Sequence, residues 1–260
     1  MKEIRLCDNH EREYTIELCK KNNLAIEVQS FSNPYLENKH DIIEEYKKLL
    51  PKVKIGRSYH APFWDLNLGT KIKGLQEIMM KFYNEAYSIA KQLNCTEIII
   101  HANYKPGTDW YDGWINRAKT FLETFLKDKD NSIRICIENQ FETDSELFIR
   151  LIDEVNDPRV KVCLDIGHAN CNSNMPLEDW IKTLNTRIAQ YHLHNNHGKQ
   201  SVYGYNKDDE HLAINDGTID IEKALKLAEE YTPNAIWSIE SKVKYLEESI
   251  DYLKKLDYIN

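Results

Sequence analysis

The chain has 260 residues, 42% of them hydrophobic, and a formal net charge of −8 at pH 7. The length suits a (β/α)8 barrel, which needs about 250 residues, so we expect one domain over 1–260. The negative charge and the dispersed Lys and Arg argue against a broad nucleic-acid footprint. No apolar run approaches the roughly 18 residues of a membrane helix, so no membrane partner is expected. The charged start MKEIRLCDNHERE predicts no secretory signal.

The six cysteines are scattered, at positions 7, 19, 95, 136, 163 and 171, and no two form a CxxC pair. Several lie inside apolar runs, which favours small reduced core residues of a cytoplasmic protein over a disulfide framework. Cys136 and Cys163 precede Glu138 and Asp165 by two residues. We therefore expect these thiols on the same inward face of the fold, one layer deeper, as core filler.

Short apolar, β-branched runs alternate with longer amphipathic runs along the chain. The predicted strands are 3–7, 24–31, 53–60, 96–102, 133–139, 160–166, 188–194 and 236–240. Apolar residues spaced three and four apart predict helices between them, for example over 12–22 and 75–93. Two more helices are expected after the capping residues Asp144–Ser145 and Asp220, and a final one covers 244–256.

Eight strands, seven intervening helical segments and a final helix predict an α/β fold, a single (β/α)8 TIM barrel. A doubly wound open sheet has the same alternation of elements. It needs a glycine-rich phosphate turn after its first strand, however, and LCDNHERE (6–13) contains no glycine. In a barrel, the active site lies at the C-terminal ends of the strands, so the residues found there are the candidates for function.

Acids and histidines stand at the ends of six consecutive predicted strands. They are His60, His101, Glu138, Asp165 with His168 just beyond it, His192 and Glu240. The loop after the seventh strand adds Asp209 and His211, and the dense histidines of YHLHNNHG (191–198) belong to the same end. Burying such groups without partners costs about 1–3 kcal/mol each, and a divalent ion removes that cost by binding several at once. Carboxylates and imidazoles without thiolates suit Mn²⁺ or Zn²⁺ best, ahead of Mg²⁺ or Fe²⁺.

The motifs at these strand ends resemble those of the xylose isomerase-like TIM barrels, which join sugar and sugar phosphate isomerases or epimerases with the endonuclease IV group. The segments that carry the resemblance are HAPFWDLNLG (60–69), IIIHAN (98–103), IEN (137–139), LDIGHAN (164–170), HLH (192–194), DEH with NDGTID (209–220) and IES (239–241).

What the resemblance implies depends on the branch. In the isomerase branch, one metal ion is held by Glu138, Asp165, His192 and Glu240, and His168 contacts the substrate. In the endonuclease branch, three zinc ions are held by those four residues and by His60, His101, His168, Asp209 and His211. The chain has an acceptable ligand at all nine positions, so ligand identity does not separate the branches.

Other residues favour the isomerase branch. The endonuclease pattern continues as His-Leu-Asn-Asp-Ser, whereas His194, Asn195 and Asn196 stand here, and Asn195 also departs from the HLHDN of many isomerases. The loops 33–41 and 170–180 are acidic or neutral, unlike loops that kink a duplex. Only the tract 197–211 is rich enough in Lys and Tyr to suggest a DNA-contacting surface.

We therefore predict a metal-dependent sugar or sugar phosphate isomerase or epimerase that moves a proton next to a carbonyl through a metal-stabilised enediolate. Glu138 and Glu240 would exchange the proton, and His168 would donate to a substrate hydroxyl. One alternative is a zinc-dependent enzyme that cleaves DNA at abasic sites, the only interpretation with a nucleic-acid partner. The other is a metal-binding barrel without turnover, which has no need of paired glutamates. Self-association is common in such barrels and stays open here.

Several further residues have two interpretations. Trp64, Trp110 and Trp114 either stack on a sugar or pack in the fold, and Glu27 is either a substrate contact or the partner of a barrel Lys or Arg. His194 and His197 are expected to be loop or outer contacts rather than ligands. The candidate receptors of a substrate phosphate are Lys199, Arg57 and Lys242.

Overall fold

Eight parallel strands form a closed barrel in the computed structural model, which describes residues 2–198 and 209–260. Each strand pairs with its neighbour in sequence, and the eighth pairs with the first. The strands are β1 Ile4–Cys7, β2 Ala25–Val28, β3 Arg57–His60, β4 Glu97–His101, β5 Arg134–Glu138, β6 Val160–Asp165, β7 Ile188–Leu193 and β8 Ile236–Ile239. The predicted (β/α)8 barrel is confirmed, because each strand falls inside its predicted segment.

The helices follow the strands on the outside of the barrel. Those of the described residues are α1 Arg12–Lys21, α2 Lys39–Leu49, α3 Lys73–Gln92, α4 Tyr111–Leu126, α5 Glu146–Val155, α6 Ile166–Asn172, α7 Leu177–Leu184, α8 Ile221–Tyr231 and α9 Leu246–Lys255. The predicted cap at Asp220 is confirmed, since its side chain accepts a hydrogen bond from Lys223 N. At α5, Asp144 accepts from Glu146 N, while Ser145 bonds Thr183 instead. Within the described ranges, every helix is too short or too polar to traverse a bilayer.

Two predicted strands, 24–31 and 53–60, are each four residues longer than the observed strands β2 and β3. Residues 53–56 precede β3 as a loop, in which Ile55 is 82% exposed and Gly56 has a φ of 101°. A side chain at this φ would strain the backbone, so the bend favours glycine. At the other end of the barrel, β2 stops at Val28 because Gln29 N donates to the buried Asp8 carboxylate.

The barrel interior is filled in layers. At the N-terminal end, Arg5 and Glu97 form a buried ion pair of 2.6 Å. Ile99, Cys136, Cys163 and Ala189 form a separate buried apolar cluster, which agrees with the expected filler role of the two thiols. All six cysteines are buried, and none forms a disulfide within the described residues. The polar side chains of the strand ends lie above these layers, at the C-terminal mouth.

Candidate metal centre

The predicted ligands Glu138, Asp165, His192 and Glu240 converge at the C-terminal mouth. Each offers one atom, and the four atoms all lie within 4.8 Å of one another in a buried cluster, here called the central group. His192 Nδ1 lies 3.3 Å from Glu138 Oε2, 3.7 Å from Asp165 Oδ2 and 3.1 Å from Glu240 Oε2. Because parallel strands end at the same mouth, residues at the ends of β5, β6, β7 and β8 are brought to one point.

The central group contains polar atoms that the protein itself leaves without hydrogen-bond partners. His192 Nδ1 and Glu138 Oε2 are buried and make no hydrogen bond among the described residues. Such orphaned atoms cost about 1–3 kcal/mol each, and a cation between them removes the cost. Burial opposes ionisation of Glu138, but His101 and His192 outweigh it and hold the pKa of this carboxyl well below its usual range. The donor set therefore fits a divalent ion.

Two further groups flank the central one. The first flanking group joins His60, His101 and Glu138. His60 Nε2 lies 3.2 Å from His101 Nε2, and both nitrogens lie 3.3 Å from Glu138 Oε2. Glu138 at the end of β5 is therefore shared with the central group.

The second flanking group joins His168, His194, Asp209 and His211. Asp209 Oδ2 lies 3.2 Å from His168 Nε2 and 2.9 Å from His211 Nε2. The ring of His194 stacks on His211 at 3.9 Å, and its Nε2 lies 3.0 Å from Asp165 Oδ1. His194 thus contacts a central-group carboxylate from outside, while His197 is half exposed and pairs with Glu210.

Three histidines are oriented by backbone carbonyls. The Nδ1 atom of His60 lies 2.9 Å from Ala61 O. The Nδ1 atom of His168 lies 2.8 Å from Asn139 O, and that of His211 lies 2.8 Å from Glu240 O. A carbonyl only accepts, so Nδ1 carries the hydrogen and Nε2 is left unprotonated in the neutral ring. Metal-binding histidines are commonly fixed in this way by their second nitrogen. Sequence patterns give no sign of these bonds, because the carbonyls belong to loops whose course is not known beforehand.

Glu27 supports the central group from below. Its Oε1 lies 3.0 Å from His192 Nε2, and it accepts hydrogen bonds from Ser58, Gln190 and Ser238. Burial opposes ionisation, but the adjacent His192 outweighs it and lowers the pKa of Glu27. Both expectations for Glu27 are therefore wrong: among the described residues it pairs with His192 and not with a Lys or Arg, and it does not line the cavity. An acid inside the apolar run AIEV was the one available signal.

Two amides were missed by sequence reasoning. Gln29 Nε2 donates to Glu240 Oε1 at 2.5 Å and thereby fixes one carboxylate of the central group. Asn139 bonds both backbone groups of Asp165: its Nδ2 donates to the carbonyl oxygen of Asp165, and its Oδ1 accepts from the backbone N–H of Asp165. Asn195, where an acid stands in many isomerases, instead bonds Ile214 O and Ile219 and anchors the loop that carries His211.

A cavity of about 420 Å³ opens above these groups. Seven of the nine predicted ligands line it, namely His60, His101, Glu138, His168, Asp209, His211 and Glu240. Asp165 and His192 are fully buried beneath its floor. Asn9, His10, Gln29, Ser32 and Gln140 add polar atoms to the wall, and Phe63 and Trp64 add aromatic faces. The volume lies within the range of about 300–1,000 Å³ that is usual for small-molecule sites.

The three candidate tryptophans and Arg57 lie in different places relative to the cavity. Trp64 lines the cavity, whereas Trp114 is buried and donates to Asn67, and Trp110 is 86% exposed beside a different hollow. Arg57 is wrong as a phosphate receptor, because it lies at the opposite end of the barrel and donates to Leu50 O and Leu93 O.

The other two candidate receptors of a substrate phosphate are Lys242 and Lys199. Lys242 is exposed and does not line the cavity. Lys199 and most of the tract 197–211, the candidate DNA-contacting surface, lie outside the described residues, which omit 199–208.

Comparisons with known proteins agree with this architecture. An uncharacterised protein of Methanocaldococcus jannaschii, MJ1311, is 25% identical over 251 residues, which cover 91% of this chain and 81% of that protein. The crystal structure of a D-tagatose 3-epimerase-like protein superposes with a TM-score of 0.79 at 23% identity, over 98% of this chain and 96% of the other.

The TTHB071 protein of Thermus thermophilus, from a crystal soaked with ZnCl2, superposes with a TM-score of 0.78 at 18% identity, over 98% of this chain and 97% of the other. At these identities, the likeness to solved structures establishes the fold. The family model described as "Xylose isomerase-like TIM barrel" matches residues 14–256. The chain therefore belongs to the xylose isomerase-like TIM barrel family.

Proposed function

We propose that this protein is a metal-dependent sugar isomerase or epimerase whose ion binds at Glu138, Asp165, His192 and Glu240. The observation that carries the proposal is the pairing of two glutamates around one imidazole. Glu138 Oε2 and Glu240 Oε2 lie 3.3 and 3.1 Å from His192 Nδ1, at the floor of a cavity of about 420 Å³. The fold likeness to a D-tagatose 3-epimerase-like protein supports this class of reaction.

The reaction moves a proton to or from the carbon next to a carbonyl. A bound divalent ion would supply a Lewis acid that stabilises negative charge on the substrate oxygens. Glu138 ends β5 and Glu240 follows β8, three strands apart around the barrel, so they approach a bound sugar from different sides. One glutamate removes the proton and the other returns it. Delivery to the opposite face of the carbon gives the epimer.

His168 is the proposed hydroxyl donor. Burial opposes its protonation, but Asp165 and Asp209 outweigh burial and raise the pKa of His168 well above its usual value. The raised pKa favours the protonated ring, which lines the cavity as a hydrogen-bond donor.

The lining of the cavity favours an uncharged sugar at the metal centre. Among the described residues that line it, polar atoms come from amides, imidazoles, a hydroxyl and carboxylates, with no Lys or Arg. Phosphate groups are usually bound by basic side chains or glycine-rich turns, and neither is present in this described lining.

A second function, hydrolysis of a phosphodiester at an abasic site, is favoured by one observation. The central and both flanking groups together contain all nine residues that a three-zinc site of the endonuclease IV type would use. Neighbouring ions can stabilise the attacking and leaving oxygens of a phosphodiester. The net charge of −8 opposes binding to a DNA duplex.

The two functions are separated by a direct assay. The purified protein is analysed for metal content and then incubated with a panel of ketoses, each read out by chromatography, and with an abasic-site duplex. We expect ketose conversion that chelation abolishes and Mn²⁺ or Zn²⁺ restores. Glu138→Gln and Glu240→Gln should each lower kcat by about 100-fold or more, whereas the exposed Glu123→Gln should not. Duplex cleavage without ketose conversion would replace the proposal by the alternative.

A further inference from the structure

A second cavity adjoins the metal cavity on the side of β3 and β4. Its volume is about 290 Å³, and it shares Phe63, Trp64 and Gln140 with the metal cavity. Asn103 and Lys105, from the loop after β4, complete its far side. The two cavities therefore adjoin at these three side chains.

Three stacked rings connect the metal centre to the second cavity. His101 stacks on Phe63 with centroids 4.5 Å apart and planes 17° apart, and Phe63 stacks on Trp64 at 4.9 Å and 26°. Phe63 is thus held between two rings. His101 is buried, whereas Trp64 is 66% exposed, so the series leads from the metal centre toward solvent. Most of the Trp64 indole is available to a ligand.

The loop that carries Phe63 and Trp64 is held in place by the loop after β4. Asn103 Nδ2 donates to Phe63 O at 2.7 Å and to Leu66 O at 3.2 Å. Asn103 and Asp65 both have left-handed backbone conformations, with φ of 53° and 57°, which Asn and Asp adopt more readily than other non-glycine residues.

Aromatic faces bind the C–H faces of pyranose rings, and polar side chains around them bind the hydroxyls. The second cavity offers both, because Asn103, Lys105 and Gln140 surround the indole. The aromatic pair and these mostly neutral polar side chains suit an uncharged ring better than a phosphate.

We propose that the second cavity is a subsite for a second sugar ring, joined glycosidically to the ketose that reacts at the metal centre. The substrate class is then a ketose-ended disaccharide or related glycoside rather than a free monosaccharide. This inference rests on the proposed sugar isomerase function. Binding in the subsite is non-covalent, with the second ring stacked on Trp64.

The test compares D-fructose with isomaltulose, in which a glucosyl unit is attached to fructose. We expect the wild type to convert isomaltulose with kcat/KM about tenfold above that for fructose, because the second ring adds stacking contacts. Trp64→Ala should lower the isomaltulose-to-fructose ratio of kcat/KM by about tenfold, and Trp64→Phe should restore part of it. Tyr35→Ala removes another exposed aromatic that lines neither cavity and should leave the ratio unchanged. A wild-type ratio near one, or a ratio insensitive to Trp64→Ala, would overturn the subsite.

A binding experiment separates this inference from the proposed reaction. Sorbitol and isomaltitol have no carbonyl, so their binding is measured by calorimetry without turnover. We expect isomaltitol to bind the metal-loaded wild type about tenfold more tightly than sorbitol, and Trp64→Ala to remove the difference. If neither ketose is converted but this difference is found, the subsite stands and the isomerase reaction fails. Equal binding of the two alditols by the wild type would reject the subsite whatever the activity.

Discussion

Glu27 Oε1 lies 3.0 Å from Nε2 of His192, and both side chains are fully buried inside the barrel. The contact leaves the opposite nitrogen, Nδ1, facing the carboxylates of the central group. A carboxylate behind a histidine fixes the ring orientation and raises its basicity as a ligand.

Glu27→Gln should therefore weaken metal binding by about 10–100-fold while keeping the barrel folded. Competition with a chromogenic chelator gives the dissociation constant, and circular dichroism checks the fold. The matched control is Glu123→Gln, which alters an exposed glutamate on α4. Metal affinity equal to that of the wild type would show that Glu27 has only a packing role.

Gln29→Leu should lower kcat by about tenfold with little change in KM, since Glu240 loses the amide that donates to its Oε1 at 2.5 Å. Steady-state kinetics on the best ketose measure both constants. A variant with raised KM and unchanged kcat would mean that Gln29 binds substrate instead of positioning Glu240.

The buried carboxyl of Glu142 should make the protein less stable as pH rises. Its buried carboxylate joins two loops by accepting from Tyr104 N and Gln140 N, and burial raises its pKa to about 7. The folded state therefore binds more protons than the unfolded state between about pH 4.5 and 7. The free energy of unfolding consequently falls as pH rises through this window, by about 3 kcal/mol from this group.

The effect is isolated by subtracting the unfolding free energy of Glu142→Gln from that of the wild type at each pH, with metal removed from both proteins. We expect this difference to decline between pH 4.5 and 7 and to stay constant above about pH 8. A difference that is independent of pH would refute the assignment.

Gly167→Ala should disrupt the second flanking group. A Cβ at this position in α6 would lie 1.9 Å from Cε1 of His194, so the imidazole would have to leave its contact with Asp165. We expect a loss of about 2 kcal/mol or more in unfolding free energy, measured by denaturant titration. Gly74→Ala is the matched control, because a Cβ there meets nothing within 4 Å, and it should be neutral or slightly stabilising. Equal effects of the two alanines would contradict the argument.

The convergence of the strand-end residues was predictable from the sequence. Once β-runs and helical runs alternate eight times, parallel topology places the ends of all strands at one mouth, and His60, Glu138 and Glu240 must face a common space. This convergence could be predicted without knowing any distance between side chains. The roles of these residues as ligands stay predictions.

The supporting contacts were not predictable, because they depend on register and loop course. Glu27 lies beside Ser58 only because β2 and β3 pair in that register. Likewise, the burial of Trp114 and the exposure of Trp64 follow from how the loops after β3 and β4 fold, with Gly69 leaving room for the Trp114 ring. Two tryptophans that both follow predicted strand ends therefore differ in burial, which the sequence alone does not reveal.

The sharing of Glu138 between the central and first flanking groups has a consequence for how ions would load. An ion at one group neutralises the carboxylate that the other group also needs, so the two occupancies are thermodynamically linked. Loading curves for these two positions would be interdependent, each step altering the affinity of the next. Replacing Glu138 would empty both positions together, whereas replacing His60 or Asp165 would uncouple them by emptying one.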